Sequence, residues 1–409
     1  MGQTLTVTAE DVARARTAIG DVARHTPVLP SATLSDLAGG ANVLLKAESL
    51  QRTGSFKIRG ALNKLAAVGD ACAPGVVCGS AGNHAQALAF AAQARGVPCE
   101  VFMPADAAIA KAEAAAALGA KVRLGGPAVD ECVAAAREHA AETGMVFVHP
   151  FDDPDVVAGQ GTLGLELLDD VPDLTKIVVP IGGGGLASGI AIAVKSARPD
   201  VEVVGVQAET VAPFPASLHA GSPVEAAQAL TIADGIAVKR PGGLTLKLIG
   251  RWVDNVVVVA EDDIAEAMVM LMEKAKLVVE GAGAVGVAAL LSGATDAAED
   301  GSTVVVLSGG NVDAGLLAVV ARRHETLEGR RIVVLTRVPD RPGALAGLLD
   351  CVAEAGANIV EVSHLREGVD LHVRETAVQL IMETRGKEHA AQVLDAIARG
   401  GYVAGIIRG

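Results

Sequence analysis

Ile177-Val178-Val179-Pro180-Ile181-Gly182-Gly183-Gly184-Gly185-Leu186-Ala187 reads as a short apolar strand (Ile177 to Pro180) that stops in four glycines and gives way to a helix (Ala187 to Ser196). Four glycines in a row cost backbone entropy, so something approaches the main chain closely or the turn needs positive φ. A phosphate resting on the helix amino terminus meets both demands. The same letters through Ala187 satisfy the dinucleotide fingerprint G-x-G-x-x-A, with Glu209 near the distance of a ribose-binding acid. Two ligand classes stay open at this point.

The strand-turn-helix unit repeats outward along the chain. Candidate strands are Asn42 to Lys46, Val76 to Gly79, Cys99 to Met103, Lys121 to Leu124, Met145 to Val148, Val203 to Gln207, Val256 to Ala260 and Thr303 to Leu307. Between them lie alanine-rich segments of helical length such as Asn83 to Arg95, Ala107 to Leu118, Asp262 to Lys276 and Ala282 to Leu291. This alternation predicts an α/β fold of parallel sheets covered by helices on both faces. The number of strands exceeds one modest sheet, so two α/β subdomains are expected, with the cleft between them as the site.

The pattern changes at Glu325 to Arg331, a charged stretch read as a linker. Beyond it the chain reads strand (Ile332 to Arg337), helix (Pro342 to Ala355), strand (Asn358 to His364), strand (Arg374 to Glu383), helix (Lys387 to Ala398) and strand (Tyr402 to Ile407). That is a βαββαβ, ferredoxin-like order. Asp340 is placed to cap its first helix, Pro342 suits the first turn and Gly356 can end it in the left-handed conformation.

Composition narrows the function classes. Of 409 residues 51% are hydrophobic and 2% aromatic, so the interior is built from Ala, Val, Leu and Ile. A net charge of -14 argues against nucleic acid and anionic membrane as partners. Five cysteines without a C-x-x-C pair suggest neither disulfides nor zinc but reduced core thiols in a cytoplasmic protein. Met1 to Thr6 lacks a basic segment followed by an apolar one, so no leader is expected.

Three further segments carry chemistry. Ser55-Phe56-Lys57-Ile58-Arg59-Gly60-Ala61 places a lysine beside a phenylalanine where a helix begins. Gly79-Ser80-Ala81-Gly82-Asn83-His84-Ala85-Gln86 follows a strand and opens a helix, leaving N–H groups free for a carboxylate or phosphate, or else it is a tight turn capped by Asn83. Ser308-Gly309-Gly310-Asn311-Val312-Asp313 puts a hydroxyl at a strand's carboxyl end, where α/β sheets bind ligands.

Taken together and in this order, these motifs resemble the serine/threonine dehydratases of the type II pyridoxal phosphate fold. His149-Pro150-Phe151-Asp152-Asp153, Gly159-Gln160-Gly161-Thr162, Ala233-Asp234-Gly235-Ile236 and Glu280-Gly281-Ala282-Gly283 add to the likeness, which covers residues 10 to 320 or so. Asp340-Arg341-Pro342-Gly343-Ala344-Leu345 and Gly356-Ala357-Asn358-Ile359 look like an ACT regulatory domain. The resemblance implies a catalytic domain over 1–324 with a small subdomain of about 55–150 inserted, a linker over 325–331 and an ACT domain over 332–409.

It further implies pyridoxal 5'-phosphate as cofactor and Lys57 as the Schiff-base lysine. Phe56, Asn83 (to the pyridoxal hydroxyl), Gly182, Gly183, Gly184, Gly185 and Leu186 (to the phosphate) and Ser308 (to the pyridine nitrogen) would bind it. Ser80 and the N–H groups of Ala81, Gly82, Asn83 and His84 would hold the substrate carboxylate. The implied reaction eliminates water from L-threonine to give 2-oxobutanoate and ammonia, with L-serine as a further substrate. Isoleucine or valine would act as effector at Asp340, Pro342, Gly343, Ala344, Leu345, Asn358 and Ile359, with Asn358 beside the Gly343 loop. A homodimer or homotetramer is expected, and Glu209 is a candidate ligand for a monovalent or divalent cation.

Rival readings differ at single residues. The related serine racemases carry a second acid/base as a serine directly before Gly-Asn-His, where this chain has Ala81, and a methyl group cannot transfer a proton. An NAD-dependent dehydrogenase with an ACT domain would use the glycine loop but leave Lys57 and the Asn83 loop without a task. A non-catalytic amino-acid sensor would not need all four segments intact.

Overall fold

The stretch Leu174–Pro180 sits inside a six-stranded sheet in the order Val28–Pro30, Asn42–Ala47, Ser302–Leu307, Leu174–Pro180, Glu202–Ala208, Asn255–Val259. Only the edge pair Val28–Pro30 with Asn42–Ala47 is antiparallel. Ser302–Leu307 is buried along its whole length, which is why it reads as a continuous apolar run. This computed structural model describes residues 6–227, 229–367 and 371–407; the Met1 to Thr6 stretch read for a leader falls outside them up to residue 5. The chain divides into two compact units, Met1–Val312 and Asp313–Gly409.

The first unit holds a second, four-stranded parallel sheet in the order Lys121–Leu124, Cys99–Met103, Val76–Gly79, Val146–Phe147. Its core joins Ile58 and Leu65 to Val76, Leu88, Val101, Met103 and Val156. Several expected elements shift at their ends. The Ala107 to Leu118 helix spans Ile109–Ala117. The Asp262 to Lys276 helix runs as Glu261–Met270 and continues as a π-helical turn, Leu271–Ala275, which Lys276 ends at φ 59°.

One long helix, Pro154–Asp170, lies where three glycines hide a helical pattern. Glycine disfavours an isolated helix, but here it sets how closely the neighbours approach. A Cβ on Gly161 would lie 2.8 Å from the Gly189 carbonyl, and one on Gly159 would lie 2.6 Å from the Arg59 carbonyl. Asp153 starts this helix by accepting from the N–H groups of Asp155 and Val156, with Pro154 in its first turn. Pro154–Asp170 therefore packs against both Lys57–Val68 and Gly185–Ala197, fixing the lysine's helix relative to the glycine loop.

The second unit begins with the helix Ala314–Leu327, capped by the Asp313 carboxylate on the N–H groups of Gly315 and Leu316. Residues 325–327, expected in a linker, form this helix's last turn, and Gly329 (φ 66°) then turns the chain into the strand Arg331–Pro339. The charge run marks a solvated helix end rather than a break between domains. Beyond it the order is Arg331–Pro339, helix Ala344–Glu354, Asn358–Leu365, Glu375–Glu383, helix Lys387–Arg399, Ala404–Ile406. The sheet runs Asn358–Leu365, Glu375–Glu383, Arg331–Pro339, Ala404–Ile406, antiparallel throughout, over a core of Val334, Leu348, Val352, Leu380, Met382, Val393 and Ile397. This is the ferredoxin-like topology.

Its details correct the expected cap and the expected placement of Asn358. Gly343 (φ 85°), not Asp340, is the N-cap of Ala344–Glu354, and Pro342 precedes the helix. Asp340 instead pairs with Arg366, at 2.9 and 3.1 Å. Asn358 is not beside the Gly343 loop. The strands joined by the crossover helix run the same way, so their starts share one end of the sheet: Asn358 and Arg331 both align with Glu383, whereas Pro339 aligns with Glu375. Eight residues at about 3.3 Å each, roughly 26 Å, separate these ends. Asp340, Pro342, Gly343, Ala344 and Leu345 thus lie at one end and Asn358 and Ile359 at the other, with the Asn358 amide donating to Glu383 at 2.8 Å.

Candidate active site

The ends of the buried strands converge on a cleft of about 660 Å³ in the first unit. Its lining takes in Phe56, Lys57, the loop 80–84, Gly182 to Leu186 and Ser308, so every catalytic, cofactor-binding and substrate-binding residue expected from the sequence meets here. Each loop follows the carboxyl end of a parallel strand, where main-chain groups are left to face a ligand.

Lys57 is the first residue of its helix, Lys57–Val68, and Phe56 stands at the N-cap. The Lys57 ammonium lies 5.2 Å from the centroid of the Phe56 ring and donates to the Pro150 carbonyl at 2.9 Å. Burial pushes its pKa down to about 8, with the Glu280 carboxylate opposing the shift. The Phe56 N–H donates to the Ser308 carbonyl at 3.1 Å, tying the lysine's helix to the end of Ser302–Leu307.

The glycine loop enters the helix Gly185–Ala197, with Gly184 at the N-cap in the left-handed region (φ 91°). A Cβ on Gly183 would lie 2.1 Å from the Phe151 ring. The close approach read from the sequence is therefore made in part by a protein side chain, and the positive φ is needed at Gly184. Helix N–H groups of the first turn have no intrahelical acceptor and suit an anion.

Around residues 80–84 the outcome is mixed. Gly82, not Asn83, occupies the N-cap of the helix Asn83–Arg95. The Ser80 N–H is taken by the Phe102 carbonyl, and the Ser80 hydroxyl accepts from the Gly82 N–H at 3.3 Å. Of the donors assigned to a substrate carboxylate, those of Asn83 and His84 lie in the first helical turn and lack intrahelical partners. The His84 imidazole is 3% exposed, with Nε2 3.0 Å from the Val148 carbonyl. Burial and then the Lys57 charge lower its pKa to about 3, so the ring is a neutral core member.

Asn83 is held at both ends of its side chain. Its amide donates to Glu280 Oε1 at 2.7 Å, and its Oδ1 accepts from Asn311 at 2.7 Å. Glu280, to which the sequence assigns no role, is 5% exposed. Burial, reinforced by Asp234, pushes its pKa up to about 7 against the Asn83 hydrogen bond and the positive Lys111 and Lys57. Its one sequence signal is the segment Glu280-Gly281-Ala282-Gly283. His149 also lines the cleft: its Nδ1 accepts from the N–H groups of Phe151 (3.2 Å) and Asp152 (2.8 Å), and burial lowers its pKa to about 4. Behind Lys57, the buried Arg59 guanidinium bridges Glu48 at 2.8 Å and Glu166 at 2.6 Å.

Glu209 is exposed in the single turn Glu209–Val211, and among the described residues no group of three His, Cys, Asp or Glu could hold a metal. The expected cation finds no such ligand set.

The family model of the pyridoxal-phosphate dependent enzymes matches residues 19–309. The chain belongs to this family. Among the relatives of this pyridoxal-phosphate dependent enzyme, the L-threonine ammonia-lyase of Thermotoga maritima is 44% identical over 402 residues, 98% of this chain and 100% of the relative. That of Geobacter sulfurreducens is 46% identical over 387 residues, 94% and 96% of the two chains. Among solved structures, the threonine deaminase isoform 2 of Solanum lycopersicum, in its processed form, superposes with a TM-score of 0.71 at 32% identity, covering 78% of this chain and 90% of that one. Maize serine racemase superposes with a TM-score of 0.73 at 34% identity, covering 78% and 98%.

The residues fit the family's cofactor. A buried amine with a lowered pKa suits an aldehyde, the helix amino terminus behind Gly182 to Gly185 suits a phosphate, and the Ser308 hydroxyl is a neutral partner for a ring nitrogen. A dinucleotide reading of the same glycines leaves this lysine and Asn83 unused.

Proposed function

We propose that this enzyme eliminates water from L-threonine, that hydrolysis of the resulting enamine takes the water back to give 2-oxobutanoate and ammonia, and that L-serine goes to pyruvate in the same cleft. The observation that carries the reading is Lys57: a buried amine with pKa lowered to about 8 is partly unprotonated near neutrality and able to take a proton. Pyridoxal phosphate, when bound, supplies an electron sink for the substrate's Cα. Lys57 removes the Cα proton, the first-turn N–H groups of Asn83 and His84 orient the carboxylate, and Phe56 helps exclude water. Ser308 offers a hydroxyl rather than a carboxylate to the ring nitrogen, which favours elimination over transamination. Ala81 stands where the resembling racemases carry a serine, so no proton donor is supplied from that position. Relatives 44–46% identical along nearly the whole chain are L-threonine ammonia-lyases, which supports the assignment.

The test is an absorption spectrum of the purified protein followed by product analysis with threonine and serine. A visible cofactor band and 2-oxobutanoate from threonine support the reading; D-serine as the main product from L-serine overturns it.

The second unit is proposed to be an ACT domain that binds isoleucine or valine and regulates the first. Its ferredoxin-like topology supports this. The enzyme is further proposed to work in the cytoplasm as a homodimer or homotetramer. Buried, unpaired cysteines at 72, 78, 99 and 132 suit a reducing compartment. Among the described residues no helix is long and apolar enough to cross a membrane.

A further inference from the structure

The Asn83 side chain opens the helix Asn83–Arg95 of the four-stranded subdomain, yet both its polar atoms are engaged by residues next to the six-stranded sheet. Its Nδ2 donates to Glu280 Oε1 at 2.7 Å. Its Oδ1 accepts from Asn311 Nδ2 at 2.7 Å, and the same Asn311 amide donates to the Thr53 carbonyl at 2.9 Å. These contacts settle which end of the carboxamide is nitrogen, since a carboxylate or carbonyl accepts and an amide nitrogen donates. An amide nitrogen carries two hydrogens, and Glu280 takes one. The second is left at the wall of the cleft that Asn83 lines.

Glu280 is locked in turn. Its own N–H donates to the Gly309 carbonyl, and a Cβ on Gly309 would lie 2.4 Å from Glu280 Oε1, so only glycine at 309 leaves the carboxyl its place. Lys57 and the ion pair of Lys111 with Asp234 at 2.7 Å are the charged groups that act on this carboxyl.

We propose that Glu280 is a positioning residue: it holds the Asn83 carboxamide so that one amide hydrogen is presented to the cofactor's ring oxygen, and it acts on cofactor binding through Asn83. This rests on the pyridoxal phosphate site described above and adds to it Glu280, which stands in the lining of the same cleft and is argued to act through Asn83. Glutamine at 280 keeps the acceptor and the shape while removing the charge. Alanine removes the acceptor and leaves the half-buried Asn83 amide without its partner, free to turn away from the cofactor, which weakens binding by about tenfold or more. Because the carboxylate opposes the lowering of the Lys57 pKa, removing its charge shifts the lysine's titration further down.

The experiment titrates cofactor-free protein with pyridoxal phosphate by visible absorbance, for the wild type, Glu280→Ala, Glu280→Gln, Asn83→Ala and the double variant Glu280→Ala/Asn83→Ala. Glu280→Ala and Asn83→Ala each raise the dissociation constant about tenfold or more. The double variant is within about threefold of either single one, since both remove the same interaction. Glu280→Gln stays within about threefold of the wild type, and the pH midpoint of its rate of cofactor capture lies below that of the wild type. Losses that multiply in the double variant, a Glu280→Ala protein with wild-type affinity, or a Glu280→Gln protein as weak as Glu280→Ala each overturn the proposal. Should Glu280→Ala not fold, Glu280→Asp, one methylene short of Asn83, takes its place with the same expected loss. A wild type that shows no cofactor band fails at the site assignment itself, separately from the role of Glu280.

Discussion

Lys57 Nζ donates to the main-chain carbonyl of Pro150 at 2.9 Å, so the buried amine rests on a neutral acceptor rather than on a carboxylate. Burial then lowers its pKa to about 8, with the Glu280 charge opposing. In cofactor-free protein the reactive, neutral amine therefore accumulates as pH rises through about 8, not through the 10.5 of a free lysine. The rate of pyridoxal phosphate capture should follow that midpoint in a stopped-flow pH series. Lys57→Ala should lose the visible band and reduce turnover by about 10³-fold or more; ordinary turnover in that variant would refute the lysine's assignment.

Ala81 tests the separation of elimination from racemisation. Wild type should form 2-oxobutanoate from L-threonine with little D-serine from L-serine, and Ala81→Ser should raise the D-serine fraction by supplying a hydroxyl in the cleft lining. Chiral chromatography of the products decides it: appreciable D-serine from wild type means that another residue delivers the second proton.

Gly183 tests the crowding of the glycine loop. A methyl group at 183 would enter the Phe151 ring, so Gly183→Ala should destabilise the cofactor-free protein by about 1–3 kcal/mol in urea unfolding. Combining it with Phe151→Leu should recover part of that loss. If Gly183→Ala unfolds like wild type, Phe151 does not limit this position.

The Arg59 cluster gives a pH prediction with a definite sign. Burial alone would raise the Glu48 pKa, but the Arg59 guanidinium, followed by the Thr26 hydroxyl and the Lys46 charge, holds it below the ordinary glutamate value of 4.5. A group depressed in the folded state contributes stability that is present above its unfolded pKa and is lost as pH falls through the folded one. Wild type should therefore lose this contribution below about pH 4.5. Arg59→Met leaves Glu48 and Glu166 without that partner and should cost about 3–5 kcal/mol at neutral pH. The deficit should shrink on acidification as the stranded Glu48 carboxyl takes up a proton. Denaturant titrations at pH 7 and pH 4.5 compare the two proteins, and an equal deficit at both would exclude the pairing argument.

Regulation tests the second unit. Isoleucine should raise the apparent KM for threonine in the full chain by binding its two conformations unequally, and a chain ending at Val312 should lose the response while keeping elimination. Steady-state titrations of both chains with isoleucine and valine are sufficient; identical responses, or none from either, would leave the unit a structural role.

The sequence by itself determined the α/β class, the strand-loop-helix setting of each chemical segment and the residues that meet in the cleft. Those features are local: apolar runs bounded by glycine report a buried strand, and a small-residue loop before a helix reports free N–H groups. Only the tertiary structure decided what depends on residues far apart in the chain. The helix Pro154–Asp170 is hidden in the sequence because its glycines weaken an isolated helix and serve instead to admit Gly189 and the Arg59 main chain. Asn83 reads locally as a cap because its partners, Glu280 and Asn311, stand about 200 residues away. Nearness in sequence suggests that Asn358 lies beside the Gly343 loop, whereas a crossover helix returns the chain to the opposite end of the sheet. The lowered pKa of Lys57 likewise belongs to the fold, since burial among segments distant in the chain, and no feature of Ser55 to Gly60, removes the water that would keep the amine protonated.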